Sequence, residues 1–486
     1  MASKEGTDPR DAWMPTALEE LFTRRFQRVH GLLVVPTVRL HQARRELQEA
    51  DAPPAWPHVI RGLGVNHWLT GEISGAEPQV TLDLVLQRLD VDPLIERRAA
   101  FTGRLLDILD QATRWTLEQF ALMPLPDVTS RLVFEPPSRS PSALEYYARA
   151  IAALENESLQ EGLRCALQSL DADRLFRPAL ALVAQLESQA GPAGWGPAAR
   201  RLQALGDLAR VDNDHFDRVR AEVGLSLVLQ AQGAFDAGYT RATGALELAD
   251  EHDDIYGRLA ALTALCDGYL LRRVPKDDVP AAAVQTFARA NLQHAADWQR
   301  LLVHELDELG DFLGELPAAN KLALLCEKLE QPDEALALHK RTLALADHLQ
   351  SRRHQATAWL YLGQCHKRQE RYTEAIESLS KCLALADASS QPEVRMARGS
   401  VYRAMKLDNE ALAEFEAVWE AVRKSDDLPR HFVCLREIAE TRMRLGRRDK
   451  AVAALQEAID VAHALELKNE EQRLREQLDE WQATGG

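Results

Sequence analysis

The chain has 486 residues, 46% hydrophobic and 27% charged. At roughly 100–200 residues per domain, that is room for several domains or for one domain plus a repeat array, and too apolar for disorder over most of its length. Lys and Arg total 58 against 74 Asp and Glu, a net charge of −16, which argues against a general polyanion binder because nucleic-acid affinity rests on neutralising phosphates.

Met1 to Trp13 is polar and acidic, without the apolar core of a secretory signal, and no run approaches the ~18 apolar residues of a membrane span. Cys165, Cys266, Cys326, Cys365, Cys382 and Cys434 stand singly, with no C-x-x-C pair. Together these features predict a cytoplasmic protein with reduced, buried thiols.

Apolar spacing predicts a first helix over Thr16–Val29, with Leu18, Leu21, Phe22, Phe26 and Val29 inward and Arg24, Arg25 and Arg28 on a solvated face. Leu32–Val35 reads as a buried strand, and Val38–Glu49 as a second helix. A Pro-rich loop, Ala52–Pro57, leads to a short helix ended by Gly64 and a strand carrying Gly71. Gln79–Leu89 alternates Val80, Leu82, Leu84 and Leu86 with polar residues, a half-buried strand. Ile95–Phe120 reads as one long amphipathic helix. Helices alternating with strands predict a small α/β or α+β domain.

That order, with the string Gly62-Leu63-Gly64-Val65-x2-Trp68-Leu69-Thr70-Gly71-Glu72-Ile73, resembles the TolB-like amino-terminal domain. Bacterial regulators and signalling enzymes carry that domain ahead of tetratricopeptide repeats. The resemblance implies an apolar strand before the first helix, and Met1–Met14 offers none. A sheet edge beside Leu32–Val35 is then expected to be covered by a helix or the N-terminal tail, or filled by an extended segment from a partner.

From Ala143 to Gln482 the chain is helical, with Gly or Pro every ten to fifteen residues, the pattern of a solenoid. The clearest repeat is Ala358–Ala386, where Trp359, Leu362, Gly363, Tyr372, Ala375, Leu379 and Cys382 spell W-x2-L-G…A-x3-L. Gly363 and Ala375 are small where two helices cross, and the larger residues fill the space around the crossing. This resembles the tetratricopeptide repeat, whose pitch is about 34 residues. Further copies are set by Ala335, by Gly399 with Ala411, and by Ala451, at pitches of 36 to 40 residues. Weaker copies cover Leu225–Ala245 and Leu159–Leu170, while Leu246–Leu316 is helical but out of register. Arg395 and Arg398 stand where the family places apolar residues, through a local shift or an exposed face.

The expected fold class is therefore mainly α: a small N-terminal α/β (α+β) domain, then a right-handed α-solenoid of tetratricopeptide-like helix pairs. Its expected domains are 1–127 (TolB-like), 128–142 (linker), 143–316 (degenerate helical repeats) and 317–486 (tetratricopeptide repeats).

No phosphate-binding loop, nucleophile elbow or H-E-x-x-H motif is present. Cys365-His366 with His354 is the nearest approach to a metal cluster, and it reads more simply as a core thiol beside a helix histidine. Glu251–Asp254 and Lys276-Asp277-Asp278 read as helix caps and turns. No catalytic residue, cofactor or metal is expected.

Ser351–Lys406 carries ten Lys or Arg against five Asp or Glu. In the repeat register, Gln364, Lys367, Arg368, Arg403, Arg436 and Arg444 fall on the first helices of their repeats. They are either a groove for a partner's acidic or extended segment or an ordinary solvated face. The expected function is a non-catalytic protein–protein interaction scaffold or adaptor. The alternative is a regulatory subunit of a bacterial signalling enzyme or transcription regulator without its own catalytic or DNA-binding module.

Overall fold

Alternating apolar side chains make Gln79–Arg88 the centre of a small sheet, whose strands are β1 (Ala2–Ser3), β2 (His67–Ala76), β3 (Gln79–Arg88) and β4 (Ile95–Gly103), in that spatial order. The strands β2, β3 and β4 are antiparallel, with Leu69 opposite Leu86 and Leu84 opposite Ala99. In this computed structural model the described residues are 2–3, 12–47, 56–91, 95–138, 140–156, 158–272 and 281–483. They fall into two compact units, Met1–Ala318 and Ala319–Gly486.

The first unit begins with α1 (Met14–Phe26), α2 (Thr37–Glu46) and α3 (Trp56–Gly62). After the sheet come α4 (Leu105–Gln119), α5 (Asp127–Phe134), α6 (Pro141–Glu155), α7 (Leu159–Ala172) and α8 (Arg177–Gln189). They are followed by α9 (Pro192–Asp212), α10 (His215–Ala231), α11 (Phe235–Glu251), α12 (Ile255–Leu271), α13 (Ala281–Leu309) and α14 (Phe312–Lys328). The boundary between the units falls inside α14. The second unit continues with α15 (Pro332–His348), α16 (Arg352–Arg368), α17 (Tyr372–Leu385) and α18 (Gln391–Ala404). Last come α19 (Asp408–Val422), α20 (Leu428–Arg444), α21 (Arg448–Ala464) and α22 (Lys468–Ala483).

One continuous core joins the sheet to the first helix pairs. Ile73, Val80, Leu82 and Leu84 meet Leu18 and Phe22 of α1 and Ile108 and Leu109 of α4. The same cluster runs on to Tyr147, Cys165 and Phe176. Each fully buried side chain of this size stabilises the fold by roughly 1.5–3 kcal/mol. The stretch expected as a linker, 128–142, takes in all of α5 but its first residue, and Val133 there is fully buried in that core.

Several expectations need correction. Ile95–Phe120 is not one helix. Its first part is β4, paired residue for residue with β3 from Ile95↔Arg88 to Gly103↔Val80, and the helix starts only at Leu105. Leu32–Val35 is not a strand. Pro36 follows it, and it runs unpaired with Leu33 half exposed, held by Gln27 Nε2 donating to the Val34 carbonyl. The first fourteen residues do supply a strand, since Ala2–Ser3 pairs in parallel with β2 at Glu72 and Ile73. Part of the Pro-rich loop and all of Lys276-Asp277-Asp278 lie outside the described residues.

Arg24, Arg25 and Arg28 are also not solvated. Arg24 Nη1 lies 3.2 Å from Asp217, and Arg28 Nη2 lies 2.7 Å from Asp214 and 2.9 Å from Asp217. Arg25 Nη2 is 2.6 Å from Asp110. Asp214 is the N-cap of α10, its side chain accepting from the Asp217 N–H. Around Asp214 and Asp217, Arg177 is a third cation beside Arg24 and Arg28, 3.1 Å from Asp214. Burial opposes ionisation of Asp217, but Arg28 and Arg24 outweigh it and hold the carboxyl well below the usual range. Burial and Arg24 pull Arg220 down to about 10. This knot of charge ties α1 to the helical layer of the first unit.

Gly64 has φ +66°, the left-handed geometry that lets α3 stop and β2 begin. A Cβ there would stand 2.6 Å from the Leu309 carbonyl oxygen, so this turn and the end of α13 approach as bare backbone. The out-of-register stretch has a simple cause: α13 runs for 29 residues, whereas α11, α12 and α14 have 17 each.

In the second unit, close crossings account for the repeat pattern. A Cβ on Gly363 would sit 2.6 Å from Leu379 Cγ, and one on Gly399 would sit 2.5 Å from the Phe415 ring. Ala375, Ala411 and Ala451 are fully buried, Leu362 nearly so, and Tyr372 and Trp359 partly. Trp359 also carries the Lys381 ammonium over its ring at 4.5 Å. Arg395 and Arg398 keep the register. Both close on Glu414 of α19, at 3.2 and 2.5 Å, so a bidentate ion pair stands where apolar packing was expected.

Candidate functional site

The first helices of successive repeats are linked directly by side chains. Lys367 Nζ of α16 donates to Ser400 Oγ of α18 at 2.9 Å, across 33 residues of sequence. Arg403 of α18 then reaches Glu437 and Glu440 of α20, at 2.5 and 3.1 Å. Arg368 pairs with Glu327 of α14. These contacts lay Glu327, Arg368, Lys367, Ser400, Arg403, Glu437 and Glu440 along one strip.

Of the six residues predicted from sequence, the strip brings Lys367, Arg368 and Arg403 together. Gln364 is half-buried one turn before Lys367. Arg436 pairs with its neighbour Glu437 at 3.3 Å, and Arg444 turns to Asp408 of α19 at 3.0 Å. The face is therefore of mixed sign. Lys367 is its exception, for among the described residues no carboxylate lies within ion-pair distance of its ammonium. Burial lowers its pKa and Arg403 lowers it further, against an opposing pull from Glu437. Sequence reading found the cations and missed the carboxylates, although Arg403 and Glu440 stand 37 residues apart, close to one repeat pitch.

Beneath this strip lies a buried polar cluster that the sequence did not announce. The ligand-type atoms of Glu327, His339 and Cys365, from α14, α15 and α16, lie within 4.8 Å of one another. His339 is fully buried, with neither ring nitrogen in a hydrogen bond. Its Nε2 is 3.5 Å from Glu327 Oε1, and its ring stacks on Tyr361 at 5.6 Å. Each buried polar atom left unpaired costs about 1–3 kcal/mol. Burial opposes ionisation of Glu327, but His339 and Arg368 outweigh it and hold its carboxyl below the ordinary value. Burial, with Glu327 nearby, pushes the Cys365 thiol up to about 11. His354 and His366 are not part of this cluster. His354 Nδ1 meets Ser351 Oγ at 2.8 Å, where Ser351 caps α16, and burial with Arg371 lowers the pKa of His366. All six cysteines are buried, and none is in a disulfide. Of the acidic caps, Asp254 does cap α12, accepting from the Gly257 N–H at 2.9 Å.

The first unit holds a cavity of about 1530 Å³, bounded by Leu32–Val35, by Trp68–Glu72 of β2, and by His41 and Arg44 of α2. Trp56 and Trp68 pack 5.6 Å apart in its wall, with Arg44 over the Trp56 ring at 4.5 Å. Burial disfavours charge on His41, but Glu19, 3.0 Å away, outweighs it and raises the pKa. No helix among the described residues is long and apolar enough to cross a membrane.

Residues 315–388 match the family described as tetratricopeptide repeat. The match begins in α14 and ends just past α17, so the repeats read from Trp359, Gly363 and Ala375 are tetratricopeptide repeats. No curated protein matches the sequence. Among solved structures, the chain is similar to PH0952 from Pyrococcus horikoshii, a signal transduction ATPase with numerous domains that has a tetratricopeptide repeat sensor. The identity is 11% and the TM-score 0.50, over 97% of this chain and 75% of that one. It is also similar to RapI in its apo form, at 11% identity and TM-score 0.44, over 71% and 99%. BtubC from P. vanneervenii gives 17% identity and TM-score 0.38, over 47% and 89%. At 11% identity the likeness to PH0952 is one of fold.

Proposed function

We propose that this chain is a non-catalytic protein-interaction scaffold whose second unit receives an acidic, extended segment of a partner along the strip from Arg368 through Lys367 to Arg403. Lys367 carries this reading. It is a half-buried cation that donates to a hydroxyl and, among the described residues, has no carboxylate within ion-pair distance, Glu437 acting on it only from further away, so a partner's carboxylate would supply a close counter-charge. Such a partner would also compete with Glu327, Glu437 and Glu440 for the two arginines, exchanging internal pairs for external ones at little net cost. The cytoplasmic location and the TolB-like character of the first unit belong to the same proposal. The hairpin of β2 and β3 and the Gly64 turn support the TolB-like part.

A photo-reactive amino acid placed at position 364, one turn before Lys367, tests the strip without removing its cations, with position 381 on α17, whose ammonium lies over Trp359 of α16, as the control. Cross-linking in cells should trap one protein partner from position 364 and none from 381. Added salt should weaken the adduct, because exposed and half-exposed charges are screened. Equal trapping at both positions, or none at 364, removes the strip as the binding face. If the trapped protein is an enzyme or transcription regulator whose output the chain alters, the chain is its regulatory subunit.

A further inference from the structure

We infer that Glu327, His339 and Cys365 bind a single Zn²⁺ ion, fastening α14, α15 and α16 together. Three observations converge. The donor atoms are a carboxylate oxygen, an imidazole nitrogen and a thiol sulfur, all within 4.8 Å of one another. That mixed set suits zinc and is poorly matched to Mg²⁺ or Ca²⁺, which take oxygen ligands. Second, His339 is fully buried, has no hydrogen bond to either nitrogen, and presents Nε2 toward Glu327 at 3.5 Å. A wholly buried imidazole left in that state is what a ligand histidine looks like before it is engaged. Third, both first-rank partners are held in place from outside. Arg368 grips Glu327, and Tyr361 stacks on the His339 ring, as outer contacts do around metal sites.

The chemistry balances. A Zn–S bond replaces the S–H bond of Cys365, whose proton passes to solvent. His339 binds as the neutral imidazole, and Glu327 is already ionised. The ion's two positive charges then meet one thiolate and one carboxylate, leaving Arg368 to face the strip above. Zinc–ligand bonds of about 2.0–2.3 Å put neighbouring donors roughly 3.5 Å apart, so donors now within 4.8 Å of one another would draw in by about an ångström on binding. Water completes the fourth position. Entry runs past Arg368, whose side chain is 54% exposed while that of Glu327 is 8% exposed.

The test uses the full chain stripped with a chelator and titrated with Zn²⁺ alone and with Co²⁺ alone. One equivalent of Zn²⁺ should bind and raise the melting temperature. Co²⁺ should give a thiolate-to-cobalt charge-transfer band and the intense visible bands of a tetrahedral ion. Cys365→Ser should abolish the charge-transfer band and weaken Zn²⁺ binding more than ~100-fold, beyond the loss typical of an outer-contact change, while Cys382→Ser leaves both intact. Should Cys365→Ser fail to fold by circular dichroism, alkylation of the native chain decides instead, with bound Zn²⁺ protecting Cys365 selectively. A native chain without the cobalt thiolate band, or Zn²⁺ affinity unchanged by Cys365→Ser and His339→Gln, would overturn the site and leave a metal-free polar cluster.

Discussion

Replacing Asp217 with Ala is expected to destabilise the first unit by about 3–5 kcal/mol, because it leaves Arg24 and Arg28 buried with one counter-charge fewer. The change acts across the molecule rather than locally, since α1 and α10 lie far apart in sequence and this knot holds them together. Asp217 also predicts a pH dependence with a definite sign. Its carboxyl is held below the ordinary value by Arg28 and Arg24. Its contribution is therefore complete above the unfolded-state pKa of about 3.9, and drains away as the pH falls below that toward the folded value. Thermal melts from pH 7 downward should show the native protein losing stability steeply below about pH 4, with the Asp217→Ala protein low throughout and flatter in that range. Parallel curves for the two proteins would mean that the knot contributes little.

Ala375→Trp should cost about 1–3 kcal/mol or more, because the fully buried methyl of Ala375 stands beside Gly363, where α16 and α17 already leave no room for a Cβ. In a stack stabilised by neighbour contacts, the damage should spread to α14–α15 and α18–α19. Hydrogen exchange resolved by peptide should show faster exchange in those flanking pairs as well as at the substitution. Loss confined to α16–α17 would show the repeats to be energetically independent.

The second unit was legible because its helices meet through glycine and alanine, and small residues at a fixed pitch leave a mark in the sequence. Gly363, Ala375, Gly399 and Ala411 each report a crossing that the structure contains. The first unit was less so, for two physical reasons. The strand β4 carries Glu96, Arg97, Arg98, Ala99 and Ala100, residues with ordinary helix propensity, and only pairing with β3 makes them a strand. Arg24, near the end of α1, and Arg28, just past it, look like a solvated face until their partners, Asp217 and Asp214, are brought from some 190 residues away. The candidate strip was half legible for the same reason. A cation shows in the sequence, whereas the carboxylate that neutralises it comes from the next repeat. The Glu327–His339–Cys365 cluster left no local signature, because each residue comes from a different helix.

The pair of arginines that grips Glu414 has a consequence for how the stack keeps its phase. Joints filled by aliphatic side chains tolerate small sliding, since one methyl contact can replace another. A planar carboxylate held from two sides has one position, and a shift of α18 along α19 by a single turn breaks both contacts at once. The pitch from Ala375 to Ala411 is 36 residues, and the pitches on either side are 40. The joint at the shortest of these three pitches is thus held in phase by a carboxylate and not by methyl contacts alone.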